Sequence, residues 1–388
     1  MNQAAVSEHF EQLAEPAHGR GQHVVHVTTV HPRDDIRIFR KECVSLARAG
    51  YRVTQVVGDG LGDADADGVH IVDIGPRPAG RLARMHQQPR AALAAVLAVQ
   101  PALVHLHDPE LLPLGVQLAR RGLPVVYDAH EDVPRQILTK QWIPAALRGV
   151  VSAAFEWYEN RQVARLSAVA AATPHIAARF AKVAPRAVNV SNFPRTDELA
   201  PPAEAVPRER AVCYVGGLMR TRGLLQMVRA MPHAPGVTLV LCGTFEDAAF
   251  EAELRAEPGW AQVQYLGQVD RSTVRSVLAR CSAGLVTLLP MPSYLDSLPI
   301  KMFEYMSAEL PVIASNFPLW QGIVQATGCG LCVDPADPRA IAQAVLSYVD
   351  HPARVFAAGR AGRRAVLHTY HWPAAERELL ALYAQLLP

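Results

Sequence analysis

The densest chemistry in this chain lies between Asp296 and Ser315, where the residues read D-S-L-P-I-K-M-F-E-Y-M-S-A-E-L-P-V-I-A-S. Ser297 is placed to cap a helix opening near Pro299, Met302, Phe303 and Met306 give that helix an apolar face, and Leu310-Pro311 stops it. A buried strand, Val312-Ile313-Ala314, follows at once. The start of such a helix offers unpaired backbone N–H groups and a partial positive charge, and Lys301 adds a cation in the first turn. Together these suit a phosphate. Glu304, one turn further in, is placed to grip a ribose diol. A plain amphipathic helix with both charges solvated is the competing reading.

These groups need a scaffold, and the chain supplies a regular one. Short β-branched runs alternate with helical patterns at 23–30, 51–57, 102–107, 124–129 and 168–173, and again at 211–217, 238–243, 263–267, 283–289, 311–315 and 330–334. Alternation of this kind reads as βα units on parallel sheets. Pro194, Pro201, Pro202 and Pro207 fall between the two series and suit a linker. The expected division is a loose tail over 1–22, a first Rossmann-like domain over 23–193, a linker over 194–210, a second Rossmann-like domain over 211–372 and a terminal amphipathic helix over 373–388. Ligands of such sheets settle beyond the carboxyl ends of the strands. Residues in those places include His31 to Arg37, then Asp108, Pro109 and Glu110, then His130 and Glu131, and in the second half Leu218 to Gly223. Asp108 before a proline looks like a helix N-cap. Neither half has G-x-G-x-x-G after its first strand, which removes the main support for a dinucleotide dehydrogenase.

Composition narrows the class further. The chain has 388 residues, 50% of them hydrophobic and 19% charged, with a formal net charge of +2 that gives no reason to expect nucleic acid. The longest apolar runs fall short of the roughly 18 residues of a spanning helix. The first 22 residues lack an apolar stretch, which argues against a secretory signal. Six scattered cysteines fit reduced thiols in a cytoplasm, and Cys329-Gly-Leu-Cys332 has no second pair with which to complete a metal site. The segment 135–165 mixes Trp142, Trp157 and Tyr158 with basic residues on a helical pattern. It reads either as a core helix with a solvated face or as a helix lying on an anionic membrane surface.

Several motifs taken in order resemble glycosyltransferase family 4, the retaining nucleotide-sugar enzymes of the two-domain GT-B fold. They are H-P-R-D-D-I-R-I-F-R-K-E (31–42), V-H-L-H-D-P-E-L-L-P-L-G (104–115), Y-D-A-H-E (127–131), Y-V-G-G-L-M-R-T-R-G (214–223) and L-P-I-K-M-F-E-Y-M-S-A-E-L-P-V-I-A-S (298–315). The resemblance implies an α/β architecture of two Rossmann-like domains facing each other across a cleft that closes for reaction, with the acceptor on the N-terminal domain and the donor on the C-terminal one. It makes Glu304 similar to the second acid of the family's E-x7-E motif, which holds the donor ribose, and puts Asp296 where the first, usually Glu, contacts sugar hydroxyls. His130 matches the histidine that reaches the transferred sugar. The donor loop, usually G-R-L-x-x-x-K-G, here reads Gly216 to Gly223: Arg222 fills the lysine position, Gly217 replaces the arginine, and Arg220 is expected to supply the missing charge.

On this resemblance the catalytic set is His130, Asp296 and Arg222, and the donor set is Gly216, Gly217, Arg220, Arg222, Ser297, Leu298, Pro299, Lys301 and Glu304. The acceptor side is expected at Asp35, Arg37, His107 and Glu131, with an Asp35–Arg37 pair inside the loop as the alternative. Guanidinium groups and a helix start can neutralise a leaving diphosphate without metal, so no metal and no cofactor is expected. The implied activity is retaining transfer from a UDP- or GDP-linked sugar to a surface-polysaccharide or lipid-linked glycan, in a bacterial cytoplasm, with peripheral contact at the inner membrane face. A GT-B sugar-nucleotide epimerase and a non-catalytic nucleotide-sugar-binding partner of another transferase are the alternatives.

Overall fold

The computed structural model describes residues 21–140, 142–196, 198–204 and 206–387. All but the last two residues of the expected tail over 1–22 lie outside the described residues. The chain divides into two compact units. One holds the residues up to Pro134, Gly149–Val190 and the chain from Ala375 onward; the other holds Arg135–Arg148 and Ser191–Ala374. The last helix, Trp372–Leu386, therefore starts with the second unit and continues in the first.

The first unit is built on an eight-stranded sheet in the order β3-β4-β2-β1-β5-β6-β7-β8. Its strands are β1 (His23–Val27), β2 (Arg52–Val57), β3 (Ala64–Ala66), β4 (Val69–Asp73), β5 (Leu103–Leu106), β6 (Val125–Ala129), β7 (Ala168–Ala171) and β8 (Ala187–Asn189). Every pair is parallel except β3 with β4. The central strands β1, β5, β6 and β7 are buried along their whole length, as expected of strands covered by helices on both faces. Register then decides which polar residues meet. His26 is opposite His105, and His105 is opposite Val126, so with a two-residue side-chain period His26, His105, His107 and Asp128 fall on one face of the sheet.

The second unit carries a six-stranded all-parallel sheet in the order β11-β10-β9-β12-β13-β14. Its strands are β9 (Ala211–Val215), β10 (Thr238–Cys242), β11 (Val263–Gly267), β12 (Ala283–Val286), β13 (Val312–Ser315) and β14 (Gly330–Val333). Two apolar layers sandwich it, one built around Phe303, Tyr305 and Trp320 and the other around Leu239, Leu285 and Val345.

Three strands were not expected from the sequence, and one expected helix is two. β3 and β8 are the edge strands and β4 lies next to β3; all three are short or partly exposed, so they lack the continuous apolar runs that mark the others. The segment 135–165 breaks into the helices Val133–Ile137 and Ala145–Val163. Pro144 immediately precedes the second helix, in keeping with proline's place at helix starts.

Candidate functional site

In the first unit the chemistry gathers where β1, β5 and β6 end. Asp108 opens the short helical turn Pro109–Leu111, but its side chain does not cap it. Instead Oδ2 accepts from the Thr29 amide at 2.6 Å, the Thr28 and Thr29 hydroxyls at 3.1 Å each and the Val30 amide at 3.2 Å, locking the loop that follows β1. The N-cap reading of Asp108 is thus corrected: four donors from the neighbouring strand end outcompete a three-residue helical turn. The locked loop delivers His31, whose Nε2 stands 3.6 Å from Asp108 Oδ1 and whose Nδ1 stands 3.5 Å from Asp35 Oδ2. The bond to Asp35 raises the basicity of His31. Burial alone would raise the Asp35 carboxyl, but His31 and the Ile38 and Arg37 amides together hold it well below the usual carboxylate range. His31 and His130 lie with ring centroids 5.0 Å apart.

Arg37 and His107, expected on the acceptor side, are buried behind this surface. Arg37 does not pair with Asp35. It grips Asp128 in a fork, Nε to Oδ2 at 2.9 Å and Nη2 to Oδ1 at 2.6 Å, donates Nη1 to the Val190 carbonyl at 2.8 Å and meets Glu42 Oε1 at 3.1 Å. The π-helical turn Ile38–Cys43, entered from Arg37, turns Lys41 and Glu42 inward. Burial would raise Asp128, but Arg37, His130 and His107 hold it well below the usual range. Burial and the Asp128 charge push Glu42 up, so of these two acids Asp128 is the carboxylate. Asp128 Oδ2 receives His130 Nε2 at 2.6 Å and His107 Nδ1 at 3.1 Å. Glu131 is exposed beside them. His26, Glu42, His105 and His107 bring ligand-type atoms within 4.8 Å of one another, a set that could hold a metal ion; in this structure the histidines bond to each other and to Tyr383.

In the second unit the donor-type residues cluster at the ends of β9 and β12. Gly216 has φ +130° and its missing Cβ faces the Lys301 side chain at 3.5 Å, so the backbone there passes close to the ammonium. The 3₁₀ turn Arg220–Arg222 follows, and Gly223 ends it with φ +76°. Lys301 lies in the first turn of Ile300–Ser307 and is buried, which rules out the solvated reading. Its ammonium sits 4.9 Å from the centroid of the Tyr214 ring. Burial pushes the amine down to about 7, the Arg222 guanidinium adds to the effect, and Glu304 opposes it. Arg222 is mostly buried, lies beside Tyr214 and Tyr294, and leaves its Nε without a partner. Thr221 Oγ1 lies 3.3 Å from Tyr294 Oη in the same loop.

Three expected donor residues carry contacts that the sequence does not announce. Arg220 makes a fork with Glu253, with Nη1 to Oε1 at 2.8 Å, and covers the Phe250 ring at 4.6 Å, so its charge is already matched at the surface. Ser297 does not cap the helix, for Pro299 holds the N-cap position; the Ser297 hydroxyl donates to the Tyr294 carbonyl at 2.9 Å and its carbonyl accepts from Trp320 at 2.7 Å. Glu304 accepts from Arg271 Nη2 at 3.0 Å, and Arg271 Nε also reaches Glu198 at 2.7 Å. Asp296 is exposed in the turn before the helix, and Gly217, Leu298 and Pro299 line the same approach in sequence. Arg271 carries no motif and was missed by sequence reasoning, while His31, Asp128 and Tyr214 stand inside the motifs 31–42, 127–131 and 214–223 but were given no role there. Asp128 reads as one polar residue in an apolar strand.

The family model described as "Glycosyltransferase Family 4" matches residues 37–191, and that described as "Glycosyl transferases group 1" matches 196–365. The chain belongs to glycosyltransferase family 4. It is 23% identical over 285 residues to glycogen synthase of Mycobacterium tuberculosis, a match covering 70% of this chain and 66% of that protein. Among solved structures it is similar to a sucrose-phosphate synthase of Thermosynechococcus elongatus, with TM-score 0.77, 20% identity, and 94% and 99% of the two chains covered. It is also similar to Anabaena Alr3699/HepE in complex with UDP and glucose, with TM-score 0.70, 14% identity, and 94% and 100% covered. The fold is GT-B.

Proposed function

We propose that this protein is a retaining glycosyltransferase that takes a sugar from a nucleoside diphosphate. The observation that carries the reading is the pairing of Lys301 with Arg222. Two neighbouring cations largely out of water, one with an orphaned guanidinium nitrogen, are costly without a matching anion. A diphosphate at the start of Ile300–Ser307 is that anion, and Glu304 one turn on is placed for the ribose. The similarity to a protein solved with UDP and glucose supports the same ligand class. In the transfer, the bond from the anomeric carbon to the phosphate oxygen breaks, the acceptor oxygen bonds that carbon from the same face, and the acceptor's proton passes to the departing phosphate oxygen. Lys301 and Arg222 stabilise the charge that builds on the leaving group. The chemistry as proposed requires neither metal nor cofactor.

The acceptor we propose is a surface-polysaccharide or lipid-linked glycan in a bacterial cytoplasm. Among the described residues no helix is long and apolar enough to cross a membrane. The helix Ala145–Val163 exposes Leu147, Val150, Val151 and Trp157, a face suited to peripheral contact with a lipid surface. Asp296 in place of the family's glutamate favours, as a second reading, a non-catalytic donor-binding partner of another transferase; a sugar-nucleotide epimerase is the alternative among enzymes. A thermal-shift panel of UDP, GDP, ADP and dTDP tests the donor: the right diphosphate at about 100 times its Kd should stabilise the fold by roughly 2.7 kcal/mol. No shift with any of them would sink the reading. Acceptor-dependent release of the diphosphate separates transfer from its alternatives, and His130→Ala should lose turnover while keeping affinity for the free diphosphate.

A further inference from the structure

Behind His130 runs a line of buried groups whose hydrogen bonds allow one direction. Asp128 Oδ2 lies 2.6 Å from His130 Nε2 and 3.1 Å from His107 Nδ1. A carboxylate only accepts, so each ring carries a proton on the nitrogen facing it. His107 Nε2 is then an acceptor, and His26 Nδ1, 2.9 Å away, donates to it. His26 Nε2 accepts from the Tyr383 hydroxyl at 3.1 Å, and the Tyr383 oxygen accepts from His105 Nδ1 at 2.8 Å. Burial lowers the basicity of His26, His105 and His107, which keeps each ring neutral with the single proton the chain requires. Arg37 pins both carboxylate oxygens, so the acceptor at the head of the line cannot turn away. For His130 the consequence is that Nε2 is committed to Asp128, while Nδ1 has no partner among the described residues and its side chain is 16% exposed.

We infer that Asp128 is a positioning residue that fixes His130 as the Nε2–H tautomer and presents Nδ1, as an acceptor, to a hydroxyl of the transferred sugar. This rests on the sugar-facing role proposed for His130. The task of Asp128 is to choose which nitrogen works, and the line of His107, His26, Tyr383 and His105 leaves it no second choice.

Nitrogen spectra of the protein labelled at histidine test the tautomer directly, with the His130 signals assigned by their loss in His130→Asn. The expected spectrum of the neutral ring has a protonated Nε2 and a bare Nδ1. A proton on Nδ1, or an averaged mixture, overturns the inference. Asp128→Asn should convert the ring to such a mixture, but it also strips Arg37 of its partner, so the wild-type spectrum carries the test if that variant does not fold. Release of UDP from UDP-glucose, used as a probe donor, gives the second measurement. An Asn amide reaches the place of Nδ1 and a Gln amide that of Nε2, so His130→Asn should keep roughly ten-fold more kcat than His130→Gln at similar KM. The reverse order overturns the inference. If the tautomer stands and both variants match wild type, the sugar-facing role falls while the hold of Asp128 on the ring remains.

Discussion

Lys301 holds its ammonium 4.9 Å from the centroid of the Tyr214 ring, and Glu304, whose charge favours that ammonium, is already shared with Arg271. Burial lowers the amine to about 7 from its ordinary 10.5, so near neutral pH it is about half charged. A bound diphosphate restores the full charge, and binding must then take up protons. Affinity for the diphosphate should therefore weaken as pH rises above 7, approaching ten-fold per unit, and Lys301→Met should flatten that dependence while weakening binding at pH 7. Titration calorimetry in buffers of different ionisation enthalpy checks the uptake. The sign for folding is the opposite. Between 7 and 10.5 the unfolded chain holds more protons than the native one, so this group makes the free protein more stable as pH rises through that window. A difference in Tm between wild type and Lys301→Met that does not move with pH would contradict this account.

Arg222 and Glu304 are the next pair to remove. A charged hydrogen-bonding partner is typically worth about 1.5–3 kcal/mol, so Arg222→Ala and Glu304→Ala should each weaken donor binding or turnover roughly ten- to a hundred-fold. Arg271→Ala should cost less, since it acts on Glu304 through the 3.0 Å bond and leaves the carboxylate in place. Steady-state kinetics and diphosphate affinity decide it: wild-type values in Arg222→Ala or Glu304→Ala would remove that residue from the site.

Much of this was readable in the sequence, for reasons that also explain what was not. The buried parallel strands announce themselves because both faces are apolar, and the helix at 300–307 because Pro299 opens it and Leu310-Pro311 closes it. Lys301 and Glu304 could be nominated because they ride on that helix. Whether Lys301 was solvated was not legible, since its burial depends on Tyr214 and Gly216, more than 80 residues away. Asp128 hid in the run Val125–Ala129, and its partners Arg37 and His107 lie 91 and 21 residues off in sequence. Tyr383 reads as one aromatic on an amphipathic helix, yet it bonds His26 across 357 residues. The partner of Arg220 was hidden for the same reason: Glu253 belongs to the neighbouring helix Ala248–Ala256.

Metal chemistry can be tested separately. Since Lys301, Arg222 and the helix start already supply positive charge for a diphosphate, turnover should survive EDTA essentially intact. Activity that vanishes with chelator and returns with Mg²⁺ or Mn²⁺ would show that a divalent cation neutralises the leaving group instead.

Two glycines set the backbone around the loop 216–223, and neither has room for a Cβ. Gly223 has φ +76° and a Cβ there would meet the Thr287 carbonyl oxygen at 2.0 Å; Gly243 has φ +144° and its Cβ would meet the Gly216 carbonyl oxygen at the same distance. Left-handed strain costs on the order of 1–3 kcal/mol per residue, and the clash with backbone adds to it. Gly223→Ala and Gly243→Ala should each lower Tm by several degrees and displace the loop carrying Arg222. Calorimetric scans with and without diphosphate would reveal it: an unchanged Tm would mean that the backbone can yield.

Asp296 is the sharpest departure from the family pattern. Aspartate is one methylene shorter than glutamate, about 1.5 Å, a large fraction of a hydrogen-bond length and enough to decide whether a sugar hydroxyl is reached. The residue lies exposed in the turn that precedes the helix Ile300–Ser307. Its neighbour Ser297 ties that turn down through the Tyr294 carbonyl and Trp320. An anchored turn can hold a short carboxylate closer to the sugar than a loose one would. On that account Asp296→Asn should abolish most transfer and leave diphosphate affinity intact, because the acid meets the sugar and not the phosphates. Asp296→Glu should impair transfer as well, by crowding a sugar seated for the shorter side chain. Paired measurements of kcat and diphosphate Kd separate the outcomes: higher activity in Asp296→Glu would mark the native aspartate as a weakened site, and wild-type transfer in Asp296→Asn would mean that this acid does not touch the donor sugar.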